Sequence, residues 1–341
     1  MKDVFTIELS QLRTLRELRE RGTVTATAEA LHLTPSAVSQ QVAALSRSAG
    51  APLLARHGRR VRLTPQAVIL LEHADRVHAE LEAARAGLAA FENGNAGAVS
   101  VGAFATAITG LVVPALEMLA AERPGISLRV SEAEPPACLT SLDTGELDIA
   151  VTVDYALGPS RDDPRYHRTE LRRDPLRLVV PSGHPRAGDE NLDIRDLAGE
   201  AWVTGATGHP CSEITTAACT AAGISPKIFH RVDGWEAVIA LVACGAGAAM
   251  VPELALDAHH PGVSVLAIRQ DEPARNVYAA VRSGSQDAPH IAAVLAALTA
   301  AAALPARTTS APRSRGHSMT PPPAHHQPAA VQDPAARPTP S

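Results

Sequence analysis

Aromatic residues are scarce: four Phe, three Tyr and two Trp among 341 residues. Any core built from this chain has to be filled by Ala, Leu and Val rather than by rings. Cysteine is sparse as well, at four residues. Cys138, Cys211, Cys219 and Cys244 form neither a CxxC pair nor a metal-ligand spacing, so they are expected to be thiols in a reducing compartment. The pairs His259-His260 and His325-His326 are adjacent rather than a helical turn apart, and no metal is expected. No run approaches the roughly 20 apolar residues that span a bilayer. Met1 to Leu18 alternates charged and apolar residues where a signal peptide would be continuously apolar. A cytoplasmic protein without a cofactor is expected.

What is present is unevenly spread. The net charge is −5, but residues 1–66 hold ten Lys/Arg against five Asp/Glu, and residues 67–305 hold 17 against 30. A basic head on an acidic body implies that the head meets a polyanion. Four regions separate: 1–66, rich in short helical patterns; 67–92, one long helical stretch; 98–304, where short apolar runs alternate with helices as in α/β folds; and 305–341, a Pro/Ala-rich tail expected to be disordered. Glu92 to Gly97 is a break of turn-forming residues.

In the head, Leu9, Leu12, Leu15 and Leu18 mark a first helix that Gly22 ends. Thr23 or Thr25 caps a second through Ala28 and Leu31, and Thr34-Pro35 opens a third. Val38, Val42 and Leu45 give the third helix one apolar face, while Ser36, Ser39, Gln40 and Arg47 occupy the other. A short helix, a tight turn and a helix with hydroxyls and an amide on its free face form a helix-turn-helix that reads DNA. The following run, Pro52 to Thr64, folds around His57-Gly58 into a wing crowded with arginine, and Arg59 and Arg60 at its tip suit a minor groove or phosphates. A solvated charged hairpin would share this composition; its place directly after a reading helix favours DNA.

The run from Gly22 to Val42, with Leu53-Leu54-Ala55-Arg56 through Leu63-Thr64-Pro65, resembles the winged helix-turn-helix of the LysR-type transcriptional regulators. The resemblance implies that Thr34, Pro35, Ser36, Ser39 and Gln40 face double-stranded DNA, supported by Arg56 and by Arg59 or Arg60. Thr27 stands where the family usually has Ala, Ser46 where it has Glu, Leu54 where it has Phe, and Val68 where it has Gly.

Along the long helix, Leu70, Ala74, Val77, Leu81, Ala84, Leu88 and Phe91 repeat in steps of four and three, an a/d heptad stripe. A helix lying on its own domain could share the pattern, but a 3.5-residue repeat favours a homodimer seam, which would pair two reading helices on two half-sites.

Ala98–Ala103, a helix through Leu111, Ala115, Leu116 and Leu119, and Ile126–Val130 make a βαβ unit, and Gly145–Val153 turns into a third strand. Leu176–Val180 and Ala201–Thr204 begin a second unit, whose Gly/Thr-rich loop Gly205 to His209 precedes a helix and suits an anion. Arg123-Pro124-Gly125-Ile126, Gly145 to Ala150, His184-Pro185 and Gly245 to Pro252 resemble the effector domain of the same family. That implies an α+β multidomain chain: a winged helix-turn-helix, a linker helix and a two-lobed α/β body of periplasmic-binding-protein type. It further implies a small-molecule effector between the lobes, drawing on Thr106, Thr152, Thr204, Gly205 and Trp235, and a dimer or tetramer. A small organic acid would suit these threonines. A solute-binding protein or an enzyme on the same body would leave the basic head without a task. No catalytic residue is expected: Cys211 reads as an apolar filler at a helix start. A Cys211–Cys219 redox bridge is disfavoured because eight helical residues hold the two about 12 Å apart.

Overall fold

The computed structural model describes residues 7–57, 60–91, 97–156, 158–256, 260–269 and 272–305. The tail from residue 306 and Arg59 lie outside them, as does the turn-forming break at 92–96.

The head folds as its spacing dictates. Leu12, Leu15 and Leu18 are buried on α1 (Leu9–Arg21), while Leu9 remains 41% exposed. Gly22, in the left-handed region, closes α1. Helix α2 (Val24–Ala30) is capped by Thr23, whose Oγ1 accepts from Ala26 N–H, and α3 (Pro35–Ala49) by Thr34, which accepts from Ala37 N–H. Capping contributes about 1 kcal/mol at each start. Thr27, fully buried, donates its hydroxyl to Thr23 O at 2.8 Å, which satisfies the polar group that an alanine would lack. Between these helices His32 adopts φ 53°, the turn that swings α3 across α2. The wing is a two-stranded ladder, β1 (Leu54–His57) against β2 (Arg60–Leu63).

The long helix, α4 (Pro65–Phe91), is partly a wall of the head. Ala67, Leu71 and Ala74 are buried with Leu12, Leu15, Leu45 and Leu53, and Leu70 is partly buried against them. Asp75 pairs with Arg16 of α1. This corrects the expected seam: Ala74 is 2% exposed within its own chain and Leu70 faces the same core. Among the described side chains of the stripe, Val77, Leu81, Ala84 and Leu88 continue outward, with Leu88 71% exposed, and the Phe91 side chain lies outside those described. An a/d stripe specifies an apolar neighbour, not which chain supplies it.

The body is built on β3 (Gly97–Ala103), a helical stretch from α5 (Ala105–Ala107) through a π-turn (Ile108–Val112) to α6 (Val113–Glu122), β4 (Ile126–Glu132), α7 (Pro135–Thr144), β5 (Ile149–Val153) and β6 (Tyr166–Pro181). The second lobe adds β7 (Asn191–Leu192), β8 (Ala201–Thr204), α8 (Pro210–Ala221), β9 (Lys227–Arg231), α9 (Trp235–Ala243), β10 (Ala249–Pro252) and β11 (Val263–Ile268). The chain returns through β12 (Ala274–Arg282) to α10 (Pro289–Ala303). One mixed sheet runs β4-β3-β5-β12-β6-β11-β7, with β10 also on β6, while β8 and β9 pair separately. The lobes therefore share a frame: β6 pairs with β12 over its first part and with β10 and β11 over its last. Gly247 lets β8 approach β10, since a Cβ there would sit 2.3 Å from Ala201 O.

Two expectations are corrected. The third strand begins at Ile149, because Gly145 is the left-handed cap of α7 and not part of a strand. The strand expected from Leu176 begins ten residues earlier, at Tyr166; arginines and acids in that stretch hid its alternation. Helical residues Ala105–Glu122 are also long and apolar enough, at mean hydropathy 1.4, to cross a membrane by length and composition. Here Ala107, Leu111, Ala115 and Leu119 pack into the first-lobe core with Val294 and Leu298.

Head and linker rest on the first lobe. Gly284, at φ 92°, lies under α4 so closely that a Cβ would stand 2.1 Å from Ala79 O, and Ala86 enters the lobe core. Arg282 reaches Glu82 at 3.6 Å. Arg165 pairs with Glu20 of α1 while also holding Asp163 and Asp143. Burial pushes Asp143 up to about 6, against the pull of Arg165 and Tyr166. The native state thus holds the Asp143 proton more tightly than the unfolded chain does, a stabilisation present below about pH 4 and lost as pH rises through about 6. Asp143→Asn should remove that slope from urea midpoints measured between pH 4 and 7; an unaltered slope would exclude Asp143 as its source. Gly284→Ala should lower stability by at least about 1–3 kcal/mol from the strain of its positive φ, with the clash against Ala79 O of α4 adding to that, and an unchanged midpoint would mean that α4 is not seated on this lobe.

Candidate DNA-reading and effector sites

Thr34, Pro35, Ser36, Ser39 and Gln40 are all exposed at one end of α3, whose opposite face buries Val38, Val42 and Leu45. Their spacing of three and four residues gathers Ser36, Ser39 and Gln40 on one face. Not all are equally free. Thr34 Oγ1 accepts the cap bond, and Ser39 Oγ donates to Pro35 O at 2.9 Å, leaving only acceptor capacity for a base. Ser36 and Gln40 make no side-chain hydrogen bond among the described residues, so Gln40 keeps its full amide for a base edge. Arg56 and Arg60 stand on the wing strands; their side chains, like all of Arg59, lie outside what is described.

Between the lobes the organising residue is Arg275, which the sequence reading did not single out. Its side chain is 3% exposed and its three nitrogens serve three segments. Nε donates to Asp174 Oδ2 at 2.7 Å, Nη2 to Thr106 Oγ1 at 2.8 Å, and Nη1 lies 3.8 Å from Cys211 Sγ. Asp174, 1% exposed, accepts from Leu254 N–H with its other oxygen. The Phe104 ring lies 4.6 Å from the guanidinium carbon. First-lobe helix start, shared strand and second-lobe helix start therefore meet at one cation. The signal available in sequence was an arginine leading the apolar run Val277 to Val281.

His209 caps α8: its Nδ1 accepts from Cys211 N–H, and its Nε2 lies 3.4 Å from Glu134 Oε2 at the head of α7. The Cys211 side chain first, then Glu134, push its pKa up to about 10, with burial opposing. A proton on Nδ1 would end the cap, whereas a proton on Nε2 facing Glu134 is common to both ring states. The bridge across the cleft therefore stands in either ring state, whereas the cap on α8 holds only while Nδ1 is unprotonated. Trp235 meets His209 edge-on at 6.3 Å, and a Cβ on Gly205 would come within 3.2 Å of the same ring.

Of the expected effector residues, Thr106 touches Arg275, and Gly205 and Trp235 border His209, with buried Thr204 preceding Gly205. Thr152 departs from the set. It stands opposite Tyr278 on β12, so by alternation it faces the side of the sheet away from Arg275. In the Gly/Thr loop, Ala206 N–H donates to Asp233 Oδ1 and His209 N–H to Ala206 O.

All four cysteines are free thiols. Burial pushes Cys138 up to about 12 and Cys219 up to about 11, while Cys244 is exposed. No group of three or more His, Cys, Asp or Glu residues suited to a metal occurs among the described residues.

Two family models match. Residues 9–68 match the bacterial regulatory helix-turn-helix protein model of the lysR family. Residues 92–303 match the LysR substrate binding domain. The hydrogen peroxide-inducible genes activator of Pectobacterium carotovorum is 26% identical over 281 residues, covering 82% of this chain and 91% of that one. The HTH-type transcriptional regulator MetR of Salmonella typhimurium is 29% identical over 283 residues, 82% and 86% of the two chains. Among solved structures, an H2O2-bound cysteine-to-serine mutant of Corynebacterium glutamicum OxyR has TM-score 0.55 at 24% identity, covering 86% and 92%. Full-length CbnR with its target DNA has TM-score 0.52 at 21% identity, covering 87% and 100%. These two structures share the fold.

Replacing Arg275 by Met strands Asp174 as a buried unpaired charge, and should cost about 3–5 kcal/mol in chemical denaturation. Arg275→Met with Asp174→Leu should recover most of it. A single mutant as stable as the parent would show that the pair does not bind the lobes together.

Proposed function

The chain belongs to the LysR family of bacterial helix-turn-helix regulators, and from that premise we propose how this DNA-binding transcription regulator reads its operator and senses its effector. Ser36 and Gln40 read base edges from the major groove. Thr34, Pro35 and Ser39 set the approach of the helix start, and Arg56, Arg59 and Arg60 hold the backbone from the wing. The carrying observation is that α3 buries Val38, Val42 and Leu45 on one face and leaves its uncommitted amide, Gln40, exposed beside Ser36 on the other. Residues 1–66 serve as the reading domain, α4 as the linker, and 98–304 as the effector domain. Val77, Leu81, Ala84 and Leu88 supply an apolar seam through which two chains pair their reading helices. Cytoplasmic residence follows from a chromosomal target.

The effector is a small polar molecule, an organic acid in the simplest case, received where Thr106, Thr204, Gly205 and Trp235 surround the Arg275–His209 region. It acts by differential affinity for two placements of the lobes. The first lobe seats α4 and touches α1, so a change in lobe placement is transmitted to the heads.

A second reading makes Cys211 the sensor. Its sulfur lies 3.8 Å from a buried guanidinium, and several relatives are named as peroxide-inducible activators. Thiolate attack on hydrogen peroxide would form an S–O bond and break the O–O bond, giving sulfenic acid and, with a proton, water. Bridging to Cys219 would further require α8 to unwind. Mass spectrometry after substoichiometric peroxide decides: sulfenic acid at Cys211 supports this reading, and oxidation confined to exposed Cys244 discards it.

The main reading is tested on DNA from immediately upstream of the gene across a salt series. A specific complex should weaken steeply with salt as counterions are released. Gln40→Ala should cost about 1–3 kcal/mol of specific affinity and leave the salt-dependent non-specific binding in place. Equal loss on specific and scrambled DNA would remove Gln40 from base reading.

A further inference from the structure

Helix α7 touches the cleft at one end and the supports of the head and linker at the other. Its first turn is fixed by Pro135 and Pro136, and Glu134, directly before them, meets Nε2 of His209 across the cleft at 3.4 Å. Two successive prolines restrict the backbone from Glu134 onward, so the residue that makes the bridge moves with the helix. The far end lies about 15 Å away at the rise of an α-helix. There Leu142 O accepts from Arg282 Nη1 at 2.9 Å, and Asp143 Oδ2 lies 3.5 Å from Arg165 Nη1. Each arginine also holds a carboxylate from outside the lobe. Arg282 reaches Glu82 of α4 at 3.6 Å, and Arg165 pairs with Glu20 of α1.

Between its ends the helix has no slack. Cys138, Leu139 and Leu142 are buried with Leu147, Tyr166 and Tyr278. A Cβ on Gly102 of β3 would stand 2.3 Å from Leu147 Cδ1 and 3.0 Å from Cys138 Sγ. Close-packed elements of this kind transmit a displacement instead of absorbing it. The grip on α4 is looser. Arg282 and Glu82 border a cavity of about 130 Å³ between α4 and the lobe, with Ser285 and His290 also on its wall. An open ion pair beside free space gives α4 room for a second seating.

We propose that α7 is the lever through which the cleft sets the seating of α1 and α4. The His209–Glu134 bridge positions its first turn, and Arg165 and Arg282 pass that position from its last turn to the head and the linker. This rests on the reading of the cleft as the effector site. A molecule that competes for His209 or Glu134 then acts on the reading heads without touching them, by biasing two seatings of one packed element.

The test is a double-mutant cycle on the full chain, read by backbone hydrogen exchange in peptides covering residues 77–86 of α4 and 17–21 of α1. Glu134→Ala removes the bridge at the cleft. Glu82→Ala removes the linker grip, while Arg282 keeps Leu142 O, Leu147 O and Asp148, so no buried charge is stranded. Sites this far apart act independently unless something rigid joins them. Each single variant should speed exchange in α4 at least about threefold, and the double variant should be no faster than the faster single one. Asp196→Ala, which breaks a pair with Arg186 on the second lobe, should leave α4 at the parent rate. The lever is overturned if Glu134→Ala leaves α4 exchange unchanged, if the two effects multiply, or if Asp196→Ala matches them as a general loosening would. On DNA from upstream of the gene, Glu134→Ala should shift specific affinity about fivefold or more, and unchanged affinity beside altered exchange would also overturn the lever. If the parent forms no specific complex, the DNA reading falls, while the exchange cycle still upholds or overturns the lever.

Discussion

A guanidinium taken out of water has to be surrounded by acceptors, and Arg275 draws those acceptors from both lobes. Asp174 neutralises it from the shared strand, Thr106 accepts from the first lobe, and Cys211 approaches from the second. A buried pair of this kind contributes little net stability compared with an apolar replacement, but breaking it is costly. Its consequence is positional. The starts of α5 and α8, and the turn that follows β10 at Leu254, are each held at a fixed distance from one charge. Any molecule that competes for Thr106 or reorients His209 acts on that hub, which makes the cleft responsive as well as rigid.

The same economy governs α4. One helix closes the core of the head with Ala67, Leu71 and Ala74, passes over Gly284 and gives Ala86 to the body. Its outward stripe is left to Val77, Leu81, Ala84 and Leu88. Because head and body grip one rigid element, and Arg165 reaches across to Glu20, rotation of the first lobe cannot leave the reading helix unaffected. Coupling between effector and DNA then needs no long relay of side chains; it needs only two seatings of one helix.

Local rules made the head legible. Thr23, Thr34, Pro35 and Gly22 carry their structural meaning within three or four residues, and Val38, Val42 and Leu45 name their own face by periodicity alone. The strands around the hinge were less legible for the same reason in reverse. Tyr166 to Leu171 alternates arginine, threonine and glutamate, so no apolar pattern marks it, and β12 gives no hint that its leading arginine is buried. Thr152 reads as one more small polar residue at a strand end; which side of the sheet it faces is a matter of register with Tyr278.

By itself the sequence determined the winged head, the long helix, the alternating body and a family resemblance, because caps, turns and periods act between near neighbours. Tertiary structure alone decided that Ala74 belongs to the head rather than a seam, that Arg275 is the cation joining the lobes, and that Thr152 stands opposite Tyr278, away from the cleft. Each of those depends on groups tens to more than a hundred residues apart in the chain. Burial and partner choice are properties of the packed whole, and no window of sequence contains them.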